Sequence, residues 1–195
     1  MSDIWFISDT HFSHGNIIKY CSRPYADAQE MDEALIANWN AFVKPDDAIY
    51  HLGDFAFWRQ PLSAYTAVFD RLNGRKHLVL GNHDDWRVMS RLGWVWVRYV
   101  HELYLGRRSS IWLSHYAHRV WPKSHHGSWH VFGHSHGGLQ PHGLSFDVGV
   151  DNWDYAPVHL DTVREVMKRL PPVRRPPGFK PPWRGRDALA LPVRN

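Results

Sequence analysis

Five short polar clusters carry the chemistry this sequence could perform: Asp9-x-His11, Gly53-Asp54, Gly81-Asn82-His83-Asp84, Ser114-His115 and Gly133-His134-Ser135-His136. Their carboxylate, amide and imidazole groups form a ligand set that suits Mn, Fe, Zn, Co or Ni and does not suit Mg or Ca alone. Taken singly, each cluster also has a plain reading. Asp9-x-His11 fits an Asx-capped turn, Gly53-Asp54 an ordinary strand-to-turn transition, residues 81–84 a hairpin, and His115 a satisfied core or surface histidine. Alternate residues at a strand end face one side, which puts His134 and His136 together. The conjunction of all five clusters points to one site.

Each cluster must be held by the element before it. Ile4-Trp5-Phe6-Ile7 reads as a buried strand running into the first cluster, Ala48-Ile49-Tyr50-His51-Leu52 as a strand running into the second, and His77-Leu78-Val79-Leu80 as a strand running into the third. Between them, Met31, Leu35, Trp39 and Phe42 mark one face of a helix over 28–43, stopped by Lys44-Pro45. A second helix covers 62–72 and stops at Asn73-Gly74. Further on come strand patterns at 94–100, 110–114, 129–132 and 144–150, and a short helix over 161–170. Strand-helix alternation implies a parallel sheet, and the later strands imply a second sheet or antiparallel additions. In α/β sheets of this kind ligands bind at the carboxyl ends of the strands, where the clusters stand.

Composition bounds the rest. A chain of 195 residues supports one domain with a real core. Its 44% hydrophobic and 22% charged residues exclude a disordered, collagen-like or coiled-coil chain. Cys21 stands alone, which excludes an internal disulfide framework and a Cys-rich zinc site; it reads as a small buried residue rather than a reactive thiol. No apolar run approaches the roughly 20 residues of a membrane span, and no basic region leads into an apolar stretch at the N-terminus, so the expected compartment is the cytoplasm. In residues 171–195, six basic residues stand against Asp187 alone, so more than the whole net charge of +4 resides there. The same stretch holds seven of the 13 prolines, which suits a polyproline-like extension. The expected organisation is a domain over 1–170 followed by a basic, proline-rich tail over 171–195. That tail reads either as a solvated extension or as an arm for an acidic partner such as nucleic acid.

The ordered series Asp9-x-His11, Gly53-Asp54, Gly81-Asn82-His83-Asp84, His115 and Gly133-His134-x-His136 resembles the calcineurin-like metallophosphoesterase family. It is most similar to small bacterial and phage members, which open with an Ile-Ser-Asp-Thr-His-Phe-type motif as residues 7–12 do here. The resemblance spans residues 4–170. It implies a four-layer αββα sandwich, two mixed sheets flanked by helices, with a two-metal site. By position, Asp9, His11, Asp54 and His136 would hold one metal, and Asp54, Asn82, His115 and His134 the other, with Asp54 bridging. The implied cofactors are two divalent transition-metal ions, Mn²⁺ first, with Fe, Zn, Co and Ni as alternatives. Ions roughly 3.5–4 Å apart activate a bridging hydroxide and clamp phosphate oxygens. His83, left without a metal, reads as general acid to the leaving oxygen. Asp84 reads equally as the group that orients His83 and as a helix cap.

Three function classes follow. The first is a dinuclear phosphoester hydrolase, a phosphodiesterase acting on a small phosphoester such as a nucleotide or cyclic nucleotide. The second is a nuclease that uses the basic tail, and the third a non-catalytic scaffold of the same fold. A scaffold has no need of a free imidazole over two metals, so His83 with the full ligand set favours catalysis. Ser/Thr protein phosphatases continue the second motif with an aspartate and a phosphate-binding arginine, where Phe57 and Trp58 stand here. His14 and Asn16 are candidates either to line the substrate site or to cap the next helical turn. His118, Arg119, Trp121, His125 and His126 form a loop-like stretch, read as solvated or as a contact for phosphate or base. Trp39, Trp96 and Trp112 occupy core-type positions.

Overall fold

The computed structural model describes residues 2–106 and 109–172. From residue 173 onward the expected tail lies outside the described residues. A five-stranded sheet has the order β4-β3-β2-β1-β9, built from β1 (Ile4–Ile7), β2 (Ala48–His51), β3 (Arg75–Val79), β4 (Val97–Arg98) and β9 (Val158–His159). Its first four strands are parallel, and β9 joins β1 antiparallel. The second sheet has the order β5-β6-β7-β8, from β5 (Val100–Gly106), β6 (Ser109–Ser114), β7 (Trp129–Phe132) and β8 (Ser145–Asp147). Here β5 is antiparallel to β6, while β6, β7 and β8 run parallel. Helices α1 (Gly15–Tyr20), α2 (Ala28–Phe42), α3 (Leu62–Phe69), α4 (Trp86–Met89) and α5 (Leu160–Arg169) flank the sheets, as the α/β expectation required.

Period-two alternation divides the first sheet between two cores. Ile7, Ile49 and Leu78 face Met31, Leu35 and Trp39 of α2 and Phe69 of α3. Phe6, Tyr50 and Val79 face Ile111, Leu113, Val131 and Phe146 of the second sheet, together with Val163 and Met167 of α5. Burial on both faces is why β1 and β2 read as continuous apolar runs. Asp27 caps α2 by accepting the Glu30 N–H at 2.9 Å, and the Glu30 carboxylate accepts the Ala26 N–H at 2.6 Å; such a cap contributes about 1 kcal/mol.

Two strand expectations change. The apolar stretch at 94–100 is not one strand: β4 pairs with β3, and the chain then crosses to the second sheet, where Val100 pairs with Ser114. The run reads as continuous because Trp94 fills the first core and Trp96 packs against the second. Only residues 145–147 of the expected strand at 144–150 pair with β7. Gly149 instead bridges Ser8, which ties the two sheets together beside the first polar cluster. No described helix is long and apolar enough to cross a membrane.

Candidate metal centre

The loops that leave β1 and β2 are sewn together by their backbones. Asp9 N–H donates to Gly53 O, His11 N–H to Asp54 O and Phe12 N–H to Phe55 O, each at 3.0 Å. To aim side chains from so short a span, the backbone turns left-handed at Asp9 (φ 59°), His11 (49°), Asp54 (57°), His134 (66°) and His136 (46°). Such conformations cost on the order of 1–3 kcal/mol each and persist where surrounding structure enforces them. Gly53 (φ 102°) is required twice over, since a Cβ there would lie 2.5 Å from His115 Nδ1 and 2.6 Å from Gly81 N.

These turns bring the sequence-predicted residues to one place. Ligand atoms of Asp9, His11 and His136 lie within 4.8 Å of one another, as do those of Asp54, His115 and His134. Asp54 joins the two groups: its Oδ2 is 3.5 Å from His11 Nε2 and 3.4 Å from His115 Nε2. Asn82 Oδ1 lies 3.1 Å from His115 Nε2. The His83 ring meets the same centre, 5.0 Å from the His11 ring, and forms a third close group with His11 and Asp54.

Asp84 is not the helix cap that was its alternative reading. Asp85 is the residue that caps α4, accepting Arg87 N–H at 2.8 Å. The Asp84 carboxylate accepts three backbone N–H groups, from Asp54 at 2.8 Å, Phe55 at 3.0 Å and Gly81 at 2.8 Å. It therefore acts on the loops that carry Asp54 and His83 and makes no hydrogen bond to the His83 ring. His83 N–H in turn donates to Asp54 Oδ1 at 2.8 Å.

The donor chemistry fits divalent cations. His115 Nδ1–H donates to Leu52 O at 2.8 Å and His136 Nδ1–H to Asp151 Oδ2 at 2.7 Å, so each ring turns Nε2 inward. Fixing a ligand imidazole through its other nitrogen is the habitual arrangement at metal centres. His11 Nδ1 lies 3.2 Å from His14 Nδ1, and His11 Nε2 is buried with no hydrogen-bond partner, an arrangement that burial ordinarily forbids. The field also favours positive charge. Burial opposes protonation of His115, yet its hydrogen bond and attraction to Asp54 raise its pKa to about 9. Burial likewise opposes ionisation of Asp54, but His115 and His11 hold its carboxyl well below the usual range. At Asp9, burial dominates and pushes the carboxyl up to about 7; a cation beside it would restore the carboxylate.

The structure adds residues with no motif of their own. Arg23, 4% exposed, donates through Nε and Nη2 to both Asp151 oxygens at 2.8 and 2.9 Å, and to the carbonyls of Asp9 at 2.7 Å and Thr10 at 3.1 Å. Asp32 accepts Ser13 N–H and Oγ–H just after His11, at 2.7 and 2.8 Å. His14 stands at the N-cap position of α1 but makes no capping bond, and its buried ring lies 5.6 Å from that of His83; Asn16 is exposed. Cys21 is half-buried beside His136 and Asp151, and burial pushes its thiol up to about 11. In the 116–128 stretch, Trp121 is buried and His125 and His126 are exposed.

Comparison with known proteins agrees with this architecture. The chain is 32% identical over 185 residues to an uncharacterised protein of Methanocaldococcus jannaschii, covering 89% of this chain and 96% of that one. It is 30% identical to the gene 66 protein of Mycobacterium phage L5, over 87% and 96% of the two chains. Among solved structures, a protein of unknown function from Aquifex aeolicus superposes with a TM-score of 0.66 at 25% identity, covering 87% of this chain and all of that one. The family model for calcineurin-like phosphoesterases matches residues 2–151, the span that carries all five clusters, and the chain belongs to that family.

Proposed function

We propose that the protein is a dinuclear metal-dependent phosphodiester hydrolase. The observation that carries this reading is the position of Asp54 Oδ2, nearly equidistant from an imidazole of each ligand group. One group comprises Asp9, His11 and His136 with Asp54, and the other Asn82, His115 and His134 with Asp54. When bound, two divalent ions supply Lewis acidity and a strong nucleophile derived from water at neutral pH; Mn²⁺ is the expected ion. His83 borders a cleft of about 290 Å³ that it shares with Asn82, Asp84 and Trp58. From there its imidazole donates a proton to the leaving oxygen. Asp84 acts as a positioning residue, holding the backbones of the Asp54 and Gly81 turns against each other.

The test is reconstitution. Chelated protein should be inactive on bis(4-nitrophenyl) phosphate and regain activity with Mn²⁺, reaching its maximum only at two equivalents. Full activity at one equivalent would overturn the dinuclear reading, and metal-independent hydrolysis would overturn the whole proposal.

A further inference from the structure

Tyr116 stands against the centre without belonging to either ligand group. It follows His115 directly, and Ser114 Oγ–H donates to its carbonyl at 2.7 Å, which closes the turn at the end of β6 around that histidine. Its ring packs edge-on against two imidazoles of one ligand group, with centroids 4.7 Å from His134 and 5.0 Å from His115. Its hydroxyl donates to Oδ1 of Asn82 at 3.4 Å. One phenol therefore touches all three residues that accompany Asp54 in the second group. With 48% of its surface exposed, it stands at the mouth of that group rather than in the core.

The length of the hydroxyl contact separates two tasks the phenol could have. A group that orients Asn82 should hold it closely, since O–H···O bonds typically span about 2.7–2.8 Å. The carboxylates that orient this centre do so: Asp151 meets His136 at 2.7 Å, and Asp84 meets the Asp54, Phe55 and Gly81 amides at 2.8–3.0 Å. At 3.4 Å Tyr116 holds Asn82 loosely, and Asn82 Oδ1 already has His115 Nε2 at 3.1 Å. A phosphoryl oxygen is a charged acceptor, and a hydrogen bond to one is shorter and roughly twice as strong as a neutral pair. Exchange of the long Asn82 contact for such an oxygen is favoured, and with the ring held by two imidazoles only the O–H has to turn.

We propose that Tyr116 is a substrate-contacting residue of this centre: its Oη–H donates a hydrogen bond to a non-bridging oxygen of the phosphoester, on the side of Asn82 and His134. The proposal rests on the hydrolase reading above and adds a recognition residue to it. His83, grouped with His11 and Asp54, serves the leaving oxygen; Tyr116 serves an oxygen that stays on phosphorus. It keeps its proton throughout, so no bond to hydrogen breaks there. A fixed donor aimed at an oxygen that gains charge stabilises the transition state. A neutral donor does this without adding the positive charge that a monoester dianion would call for.

Tyr116→Phe tests the assignment, because it keeps the ring on His134 and His115 and removes only the hydroxyl. Calorimetric titration of the Mn²⁺-loaded protein with inorganic phosphate should show the dissociation constant raised about tenfold in the variant, the size of a lost hydrogen bond to a charged acceptor. Titration of the metal-free protein with Mn²⁺ should give the same binding steps in variant and wild type. On bis(4-nitrophenyl) phosphate, kcat/KM should fall about tenfold or more. Unchanged phosphate affinity overturns the proposal. Weakened Mn²⁺ binding also overturns it, since that result would make Tyr116 a positioning residue for Asn82. If the wild type hydrolyses no ester, the hydrolase reading fails on its own, and the phosphate titration still judges Tyr116; a loaded wild type that binds no phosphate overturns the assignment.

Discussion

Asp151 accepts the Nδ1–H of His136 at 2.7 Å while both of its oxygens are held by Arg23, so a turn 128 residues from that arginine sets the orientation of a candidate ligand. Arg23 also ties down the carbonyls of Asp9 and Thr10, so one guanidinium fixes two members of the same ligand group. Against the cost of burial, the Asp151 hydrogen bond raises the His136 pKa and lowers that of Asp151. Asp151→Asn leaves an acceptor for the imidazole but removes the charge and disturbs the Arg23 fork. The expected outcome is a loss of about 10–100-fold in affinity for one ion, with the other retained. Calorimetric titration with Mn²⁺ reads the two steps separately; two unchanged steps would remove Asp151 from this role.

Asp54 and Asp9 separate the two halves of the centre. Asp54→Asn removes the carboxylate shared by both groups and should lower occupancy of both ions, whereas Asp9→Asn should affect chiefly the ion held with His11 and His136. Metal analysis of the purified variants decides the matter. Two full equivalents retained by Asp54→Asn would refute the bridging assignment.

Most of this centre was legible in the sequence because strands expose their ends. The runs Ile4–Ile7 and Ala48–His51 are apolar until the sheet stops, and polar residues that follow such a stop lie at the strand's carboxyl end. Arg23 and Asp151 were not legible. Arg23 lies in a loop and Asp151 in a single 3-10 turn over Val150–Asn152, neither with a periodic pattern, and the pairing depends on chain crossings that spacing does not encode. The β4–β5 crossing was hidden for a different reason: both cores demand apolar side chains, so nothing in the 94–100 pattern marks the change of sheet. Asp84 was ambiguous because a carboxylate beside a short helix suits a cap as well as it suits three loop amides.

His83 is separable from the metal ligands by its substrate dependence. His83→Ala should retain metal and lose turnover by about 10²–10⁴-fold on an ester with a poor leaving group. On a nitrophenyl ester, whose oxygen needs little protonation, the loss should shrink. An equal loss on both would assign His83 to another task, such as completing the group it forms with His11 and Asp54.

The second sheet carries a prediction about acid. Burial lowers the pKa of His130 to about 4, and its hydrogen bonds define a neutral ring with the proton on Nδ1. Its folded pKa lies below the unfolded value near 6.5, so the unfolded chain takes up the proton first. The stability it contributes is complete above pH 6.5 and is lost as pH falls toward 4, at about 1.4 kcal/mol per pH unit. Asp84, raised to about 6 by burial and by Asp54, works in the opposite sense, gaining stability as pH falls through the same window. The measurement is therefore a difference: chemical unfolding of wild type and His130→Gln between pH 6.5 and 4, where the variant should show the shallower decline. NMR of the wild-type ring at pH 5 should still show the neutral Nδ1–H tautomer, and titration near 6.5 would contradict the assignment.

Under the proposed hydrolase reading, the expected type of ester follows from the residues that stand after Asp54. At the offsets where protein phosphatases place an aspartate and a phosphate-binding arginine, Phe57 packs on His14 at 4.9 Å between ring centroids, and Trp58 is 49% exposed. The next residue, Arg59, lays its guanidinium over the Trp58 ring at 4.1 Å. A monoester dianion gains most from added cationic clamps, because its charge is spread over three oxygens in the transition state. A diester carries a single negative charge, which two divalent ions neutralise without such clamps, and its alkoxide leaving group gains from a proton supplied by His83. The expected outcome with Mn²⁺ is a higher kcat/KM for bis(4-nitrophenyl) phosphate than for 4-nitrophenyl phosphate. A monoester preference of tenfold, about 1.4 kcal/mol in transition-state stabilisation, would show that an arginine from elsewhere, Arg87 or Arg119, clamps the phosphate and would overturn the diesterase reading.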